Sequence, residues 1–247
     1  IGEEEIVQDR GSFLGLRKVA ETQQIAAIDV RQGWLARRFN YGTLMLRSES
    51  GQELGRVQDV ASPALTADEI SNLVDPPGQR ALDLVELPAQ ALIDRGEGQY
   101  IEFKSSLVWD YRQERANKGL YEPVMKNVVA FLNARGGVLL IGVADDGTIL
   151  GLEPDMRTLK QPDADRWELL FSNAFNAMIG VQYRRFVDLS FPVFDDKFIC
   201  QVNVRPSTRP AYLTHKNAEH FYIRAGNGAQ PLSLSKAAEY IREHFEL

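Results

Sequence analysis

The sequence predicts an α+β protein in two parts: a small antiparallel β-barrel with a C-terminal helix, then a larger unit of strands and helices. Three observations carry this. Short strand-like runs separated by turns fill residues 1–75. The stretch Asp75-Pro76-Pro77-Gly78-Gln79-Arg80 breaks regular structure, since paired prolines lock the backbone and glycine frees it. Beyond it, strand and helix periodicities alternate. The expected division is 1–75, a linker at 76–87, and a second domain at 88–247.

In the first part the strands are Glu5-Ile6-Val7-Gln8, Phe13 to Val19, Ala26 to Val30 and Gly42 to Arg47, with turns at Asp9-Arg10-Gly11 and Glu49-Ser50-Gly51. Thr66 can cap a short helix running to Val74, with Asp68 and Glu69 in its first turn. Between strands, Trp34, Leu35 and Phe39 lie among Arg31, Arg37 and Arg38. That mixture packs a turn onto the barrel or rests at a lipid interface.

In the second part a short helix at Pro88 to Asp94 leads into Tyr100-Ile101-Glu102-Phe103-Lys104. In a strand, Tyr100, Glu102 and Lys104 share one face and Ile101 and Phe103 the other. Val124, Val128, Phe131 and Leu132 then recur at helical spacing from Pro123 until Gly136-Gly137. Val138 to Val143 is apolar on both faces, as a central strand is, and Asp145-Asp146-Gly147 turns it into Thr148-Ile149-Leu150. A helix carrying Trp167, Leu169, Leu170, Phe171, Phe175 and Met178 follows. Strands come next at Phe186 to Phe191, Phe198 to Val204 and Phe221 to Arg224, before a last helix with Ala237, Tyr240, Ile241 and Phe245 on one stripe.

A net charge of −6 argues against a chain that is basic everywhere. Residues 1–88 hold 9 Lys+Arg against 14 Asp+Glu, so the acidity sits mostly in the first part. Residues 184–224 instead carry Arg184, Arg185, Arg205, Arg209, Lys216 and Arg224, a local basic surface or an ordinary solvated face. No apolar run approaches the roughly 20 residues of a spanning helix. The chain starts at Ile1 with no signal pattern, so it reads as cut from something longer. The single Cys200 excludes an internal disulfide and reads as a small core residue. His215, His220 and His244 lack zinc-site spacing, and Thr148 stands where a Walker motif needs lysine.

Two resemblances follow from these residues. Ile28 to Thr43 with Val57-Gln58-Asp59-Val60, in a setting of strands plus one helix, resembles the bacterial PH-like domain family. That resemblance implies a position near transmembrane helices. Gly96-Glu97, Ile101 to Lys104, Ala130-Phe131-Leu132-Asn133 with Gly136-Gly137, Ile141 to Gly147 and Phe221 to Asn227 together resemble the Schlafen AlbA-type domain. This implies an α+β fold with a mixed sheet and flanking helices, and RNA or DNA as partner. Some Schlafen members are metal-dependent RNA endonucleases using three carboxylates, which match Glu97, Glu102 and Asp145 here, with Asp146 the alternative to Asp145. Schlafen proteins place two such domains around a substrate, so one copy implies a homo-oligomer.

Three converging carboxylates can hold Mg²⁺ or Mn²⁺ to activate water, with Lys104 stabilising charge on a phosphodiester. The bland account of the same residues is a loop acid, a solvated pair and a hairpin turn. Arg224-Ala225-Gly226-Asn227-Gly228 is either a phosphate cradle or a turn whose arginine pairs with an acid. The expectation is a cytoplasmic nucleic-acid-binding module, at the inner face of a membrane through its PH-like part, with nuclease activity open. The competing class is a membrane-proximal protein-interaction or assembly module.

Overall fold

The computed structural model describes residues 5–9, 16–21, 24–25, 27–33, 36, 41–48, 51–61, 63, 66–67, 70 and 84–245. The Trp34-Leu35 and Arg37 to Phe39 tract, the Pro76-Pro77 break and most of the expected Thr66 to Val74 helix lie outside them.

In the N-terminal part β1 (Glu5–Asp9) pairs with β2 (Leu16–Glu21). A separate antiparallel sheet joins β3 (Ala27–Arg31), β4 (Tyr41–Arg47) and β5 (Glu53–Ala61), with β4 in the middle. β5 had no strand signal of its own, because its mostly polar residues sit on an edge where only scattered side chains are partly covered. Ile25, Ile28, Leu44, Leu46, Ala67 and Ile70 form the core of this part. It shares no residue with the cores that follow.

The second part begins with α1 (Ala89–Arg95). Then come β6 (Ile101–Lys104), a hairpin of β7 (Trp109–Asp110) and β8 (Arg115–Ala116), α2 (Tyr121–Asn133) and β9 (Gly137–Ile141). After α3 (Glu153–Met156) and α4 (Ala164–Met178) the chain returns through β10 (Val187–Ser190), the β11 (Val193–Phe194) and β12 (Lys197–Phe198) hairpin, and β13 (Cys200–Val204). Hairpins of β14 (Leu213–His215) with β15 (Ala218–His220) and β16 (Tyr222–Ala225) with β17 (Gly228–Pro231) precede α5 (Leu234–His244). A 3-10 turn at Val181–Phe186 occupies the start of the expected Phe186 strand.

The expected mixed sheet is present, in the order β10-β13-β9-β6. β6 and β9 run parallel, joined across α2, and the other pairs are antiparallel. β9 is buried throughout, and its alternation divides the interior. Leu139 and Ile141 join Phe131, Trp167, Phe171 and Val202 under α2 and α4, whereas Val138 and Leu140 join Leu92, Ile101 and Phe103 under α1. Cys200 lies in the first of these layers, and burial pushes its thiol well above the ordinary 9.0.

Gly136-Gly137 ends α2 as its composition requires. Gly136 has φ 79° and returns its N–H to the Phe131 carbonyl at 3.0 Å. At Gly137 a Cβ would stand 2.4 Å from the Phe131 ring, so only glycine lets β9 start this close to α2. Among the described residues no helix is long and apolar enough to cross a membrane.

Candidate functional site

β6 is an edge strand, and its unpaired side is closed by side chains. Glu97 Oε1 accepts the Phe103 N–H at 2.8 Å, and Arg224 Nη2 donates to the Ile101 carbonyl at 3.2 Å. Glu97 is exposed as a residue, but this bond turns its carboxylate inward. Burial, with help from Glu102 and Asp145, pushes the carboxyl above the ordinary 4.5, while the Phe103 N–H and Lys104 restrain it.

Glu102 is 8% exposed, with both oxygens engaged. Oε1 accepts from the Lys104 ammonium and from Asn127 Nδ2 at 3.0 Å, and Oε2 from Arg224 Nη1 at 2.8 Å. Burial pushes this carboxyl up, but Arg224 and Lys104 outweigh it and hold the group below 4.5. Strand alternation correctly puts Glu102 and Lys104 together. Tyr100, expected beside them, precedes the strand and packs with Ile101 and Phe103 instead.

Arg224 corrects an expectation. Its guanidinium is 1% exposed and donates to the Gly98, Gln99 and Ile101 carbonyls and to Asn127 Oδ1 as well as to Glu102, while lying 4.8 Å over the Phe131 ring. No face is left for a phosphate. Of the two readings of its tract, pairing with an acid is the one observed. Asn133, at the end of α2, secures the same hairpin by donating to the Ala211 and Tyr222 carbonyls and accepting the Ala211 N–H.

Asp145 stands exposed after β9, in the tight turn its sequence predicts: Ala144 N–H meets the Thr148 carbonyl at 2.9 Å, and Asp146 accepts the Thr148 N–H. Lys104 and Asp145 border one groove at the C-terminal end of the parallel pair, Glu102 is bonded to Lys104, and the charges of Glu102, Lys104 and Asp145 bear on Glu97. The donor set does not fit a divalent ion, because Glu102 has no free oxygen and Glu97 has one turned to the backbone. Among the described residues no group of three or more His, Cys, Asp or Glu is placed to hold Mg²⁺ or Mn²⁺.

The other expected basic residues lie elsewhere. Val204 pairs with Gly137 and Cys200 with Ile141, so Arg205 follows the end of β13 farthest from Lys104 and Asp145. Four strand steps separate those ends by about 13 Å. Arg205 donates to the Arg185 carbonyl at 2.7 Å and reaches Asp188, so these two arginines share that far end. Arg184 is tied to the Val187 carbonyl and Glu168. Arg209 is exposed, and Lys216 occupies the turn between β14 and β15.

Beside the carboxylates opens a groove of about 340 Å³, lined by Lys104 and Asp145, by Pro123 and Val124 of α2, and by Trp109, Tyr111 and Arg112 of the hairpin. The loop that borders it is held by Asp155, a residue with no signal in the sequence. This 1% exposed carboxylate accepts N–H groups from Leu107, Val108 and Trp109, the Ser106 hydroxyl, and Trp167 Nε1. One side chain thereby fixes the loop between β6 and the hairpin onto α4.

A family model described as Schlafen, AlbA_2 matches residues 97–233, more than half of the chain and all of the carboxylate cluster. No curated protein matches. Among solved structures the chain is similar to the DIP2311 protein from Corynebacterium diphtheriae, with TM-score 0.48 and 15% identity over 68% of this chain. It spans 34% of the length of that protein. It is also similar to the N-terminal domain of a protein from Nitrosomonas europaea described as ATP-dependent DNA helicase RecG-related. There the TM-score is 0.33 and the identity 20%, over 65% of this chain and 95% of that one.

Proposed function

From the Schlafen, AlbA_2 family, to which the chain belongs through residues 97–233, we propose that this protein binds RNA or DNA at the C-terminal end of the β6 and β9 pair. The observation that carries the reading is the junction of a cation held on a rigid strand, Lys104, with an open groove whose hairpin wall offers Arg112 and two aromatic rings. Phosphate oxygens meet the two cations, and Glu102 and Asp155 fix the geometry without touching the ligand. Two cations make a shallow salt dependence, a slope of about −1.4 for a single strand. The test is a titration of the protein with tRNA, single-stranded RNA and duplex DNA at two salt concentrations. Absence of salt-sensitive binding to all three sinks the reading and favours a protein-interaction module.

Cleavage is a second reading, favoured by the raised proton affinity of Glu97 beside Lys104. In it Glu97 takes the proton of an RNA 2′-hydroxyl as that oxygen attacks the adjacent phosphorus, the bond from phosphorus to the 5′-oxygen breaks, the leaving oxygen takes a proton from water, and Lys104 faces the phosphate. A PH-like module that brings the site to a membrane, and a homo-oligomer that supplies a second binding domain, complete the proposal. Light scattering at high micromolar concentration tests the oligomer, and flotation with anionic vesicles tests the membrane contact.

A further inference from the structure

Phosphate contacts alone do not account for binding in this groove. Its cations are few, and Asp145 and Asp110 place acidic residues beside Lys104 and Arg112. A ligand held there draws its affinity from surfaces other than its charge. The surfaces on offer are aromatic. Trp109 is half-buried and Tyr111 is 41% exposed, and both sit on the short hairpin that lines the groove.

That hairpin is held rigidly. Trp109 N–H bonds Asp155 at 2.8 Å and Asn117 N–H bonds the Val108 carbonyl at 2.7 Å, while the Asp110 carboxylate accepts the Arg112 and Gln113 N–H groups and Asn117 Nδ2. Because Asp110 is committed to the turn, Asp145 is the acceptor left in the groove. Burial and the charges of Asp155 and Glu153 push the Tyr111 phenol above 10.0, which keeps the ring neutral.

Resting on the nucleic-acid reading above, we infer that this groove is a stacking subsite for one unpaired nucleobase, so that the protein selects single-stranded over duplex nucleic acid. The volume matches a nucleoside, at the lower end of the roughly 300–1,000 Å³ of small-ligand sites. Apolar Pro123 supports one side of the base and the hairpin rings offer π-faces. Lys104 and Arg112 reach the flanking phosphates, and Asp145 accepts from an exocyclic amino group. A base inside a duplex keeps both its faces stacked and cannot enter. An acidic peptide, which meets the same two aspartates without a base to stack on the rings, is disfavoured, and so is a lipid tail, by the charged groups that line the groove.

The experiment titrates the 247-residue protein with a single-stranded RNA decamer and with the same sequence as a duplex, reading tryptophan fluorescence and anisotropy. Parent protein is expected to bind the single strand more tightly, with quenching from Trp109. Tyr111→Ala is expected to weaken single-strand binding about tenfold and duplex binding less than twofold. Trp109→Phe keeps a ring in place and is expected to retain most of the affinity while losing the quench. Parent that binds neither strand overturns the nucleic-acid reading and this one with it. Parent that binds the single strand equally well with Tyr111→Ala, at an unchanged melting temperature, overturns the stacking subsite alone. So does an equal loss on both strands, which marks a general surface contact.

Discussion

Arg224 Nη1 lies 2.8 Å from Glu102 Oε2, across 122 residues of sequence and inside the protein. The pair joins the β16 and β17 hairpin to β6, and Arg224 also holds the Gly98 to Ile101 backbone. A buried pair of this kind is costly to break from one side, because the remaining charge has lost both water and partner. Arg224→Met and Glu102→Gln are each expected to destabilise the protein by about 3–5 kcal/mol in urea unfolding. The double variant is expected to recover a substantial part of that loss. Single variants within about 1 kcal/mol of the parent contradict the assignment.

The pH dependence of stability separates the two glutamates. Glu102 titrates below 4.5 in the folded protein, so its contribution is complete above 4.5 and is lost as pH falls through the folded value. Glu97 titrates above 4.5 in the folded protein, so its ionisation opposes folding once pH rises past 4.5. Glu97→Gln keeps the acceptor for the Phe103 N–H and is expected to be more stable than the parent at pH 7 and equal to it well below pH 4.5. Urea midpoints measured from pH 3 to 8 check this. A variant less stable than the parent at pH 7 shows that the Glu97 charge supports the fold.

What could be read from the sequence was local. β9 announced itself because a strand covered on both faces must be apolar at every position, and Glu102 with Lys104 followed from strand alternation. Arg224 was misplaced because its glycine-rich neighbours suggest an open loop, and its partner is set by the packing of distant elements. The one available signal was its place between Ile223 and Ala225, both buried. Asp155 carries no sequence signal, because it lies in the four-residue α3 while its bonds reach back 46 to 49 residues to the loop after β6. Arg184, Arg185 and Arg205 gather at the opposite end of the sheet from Lys104, because β10 and β13 pair antiparallel with Val187 beside Val204.

Asp155→Asn tests the support of the groove. The amide presents hydrogens where the carboxylate accepts several donors, so at least one N–H loses its acceptor. A loss of about 2–3 kcal/mol is expected, with increased exposure of Trp167 to a soluble quencher. Hydrogen exchange is expected to rise over residues 106–110 before it rises in β9. Uniform loss of protection across the domain would show that Asp155 stabilises the whole fold and does not specifically hold the loop.

Nuclease activity needs variants that leave the fold intact, and Glu102→Gln is unsuitable because it strands Arg224. Glu97→Gln keeps the acceptor for the Phe103 N–H, and Lys104→Met leaves Glu102 paired with Arg224, with the melting temperature read beside the activity. If Glu97 is the base, its replacement is expected to lower cleavage of single-stranded RNA by about 10²–10⁴-fold while binding stays within twofold. Lys104→Met is expected to lower both cleavage and binding, since the ammonium faces the phosphate in each. Asp145→Asn separates the routes, because Asp145 is open to an ion but transfers no proton in the Glu97 reading. Cleavage stopped by a chelator and restored by Mg²⁺ or Mn²⁺, together with loss in Asp145→Asn, would mean that ligand binding frees Glu102 from Arg224 or Lys104. Unchanged cleavage in Glu97→Gln removes Glu97 from the chemistry and leaves the groove as a binding site.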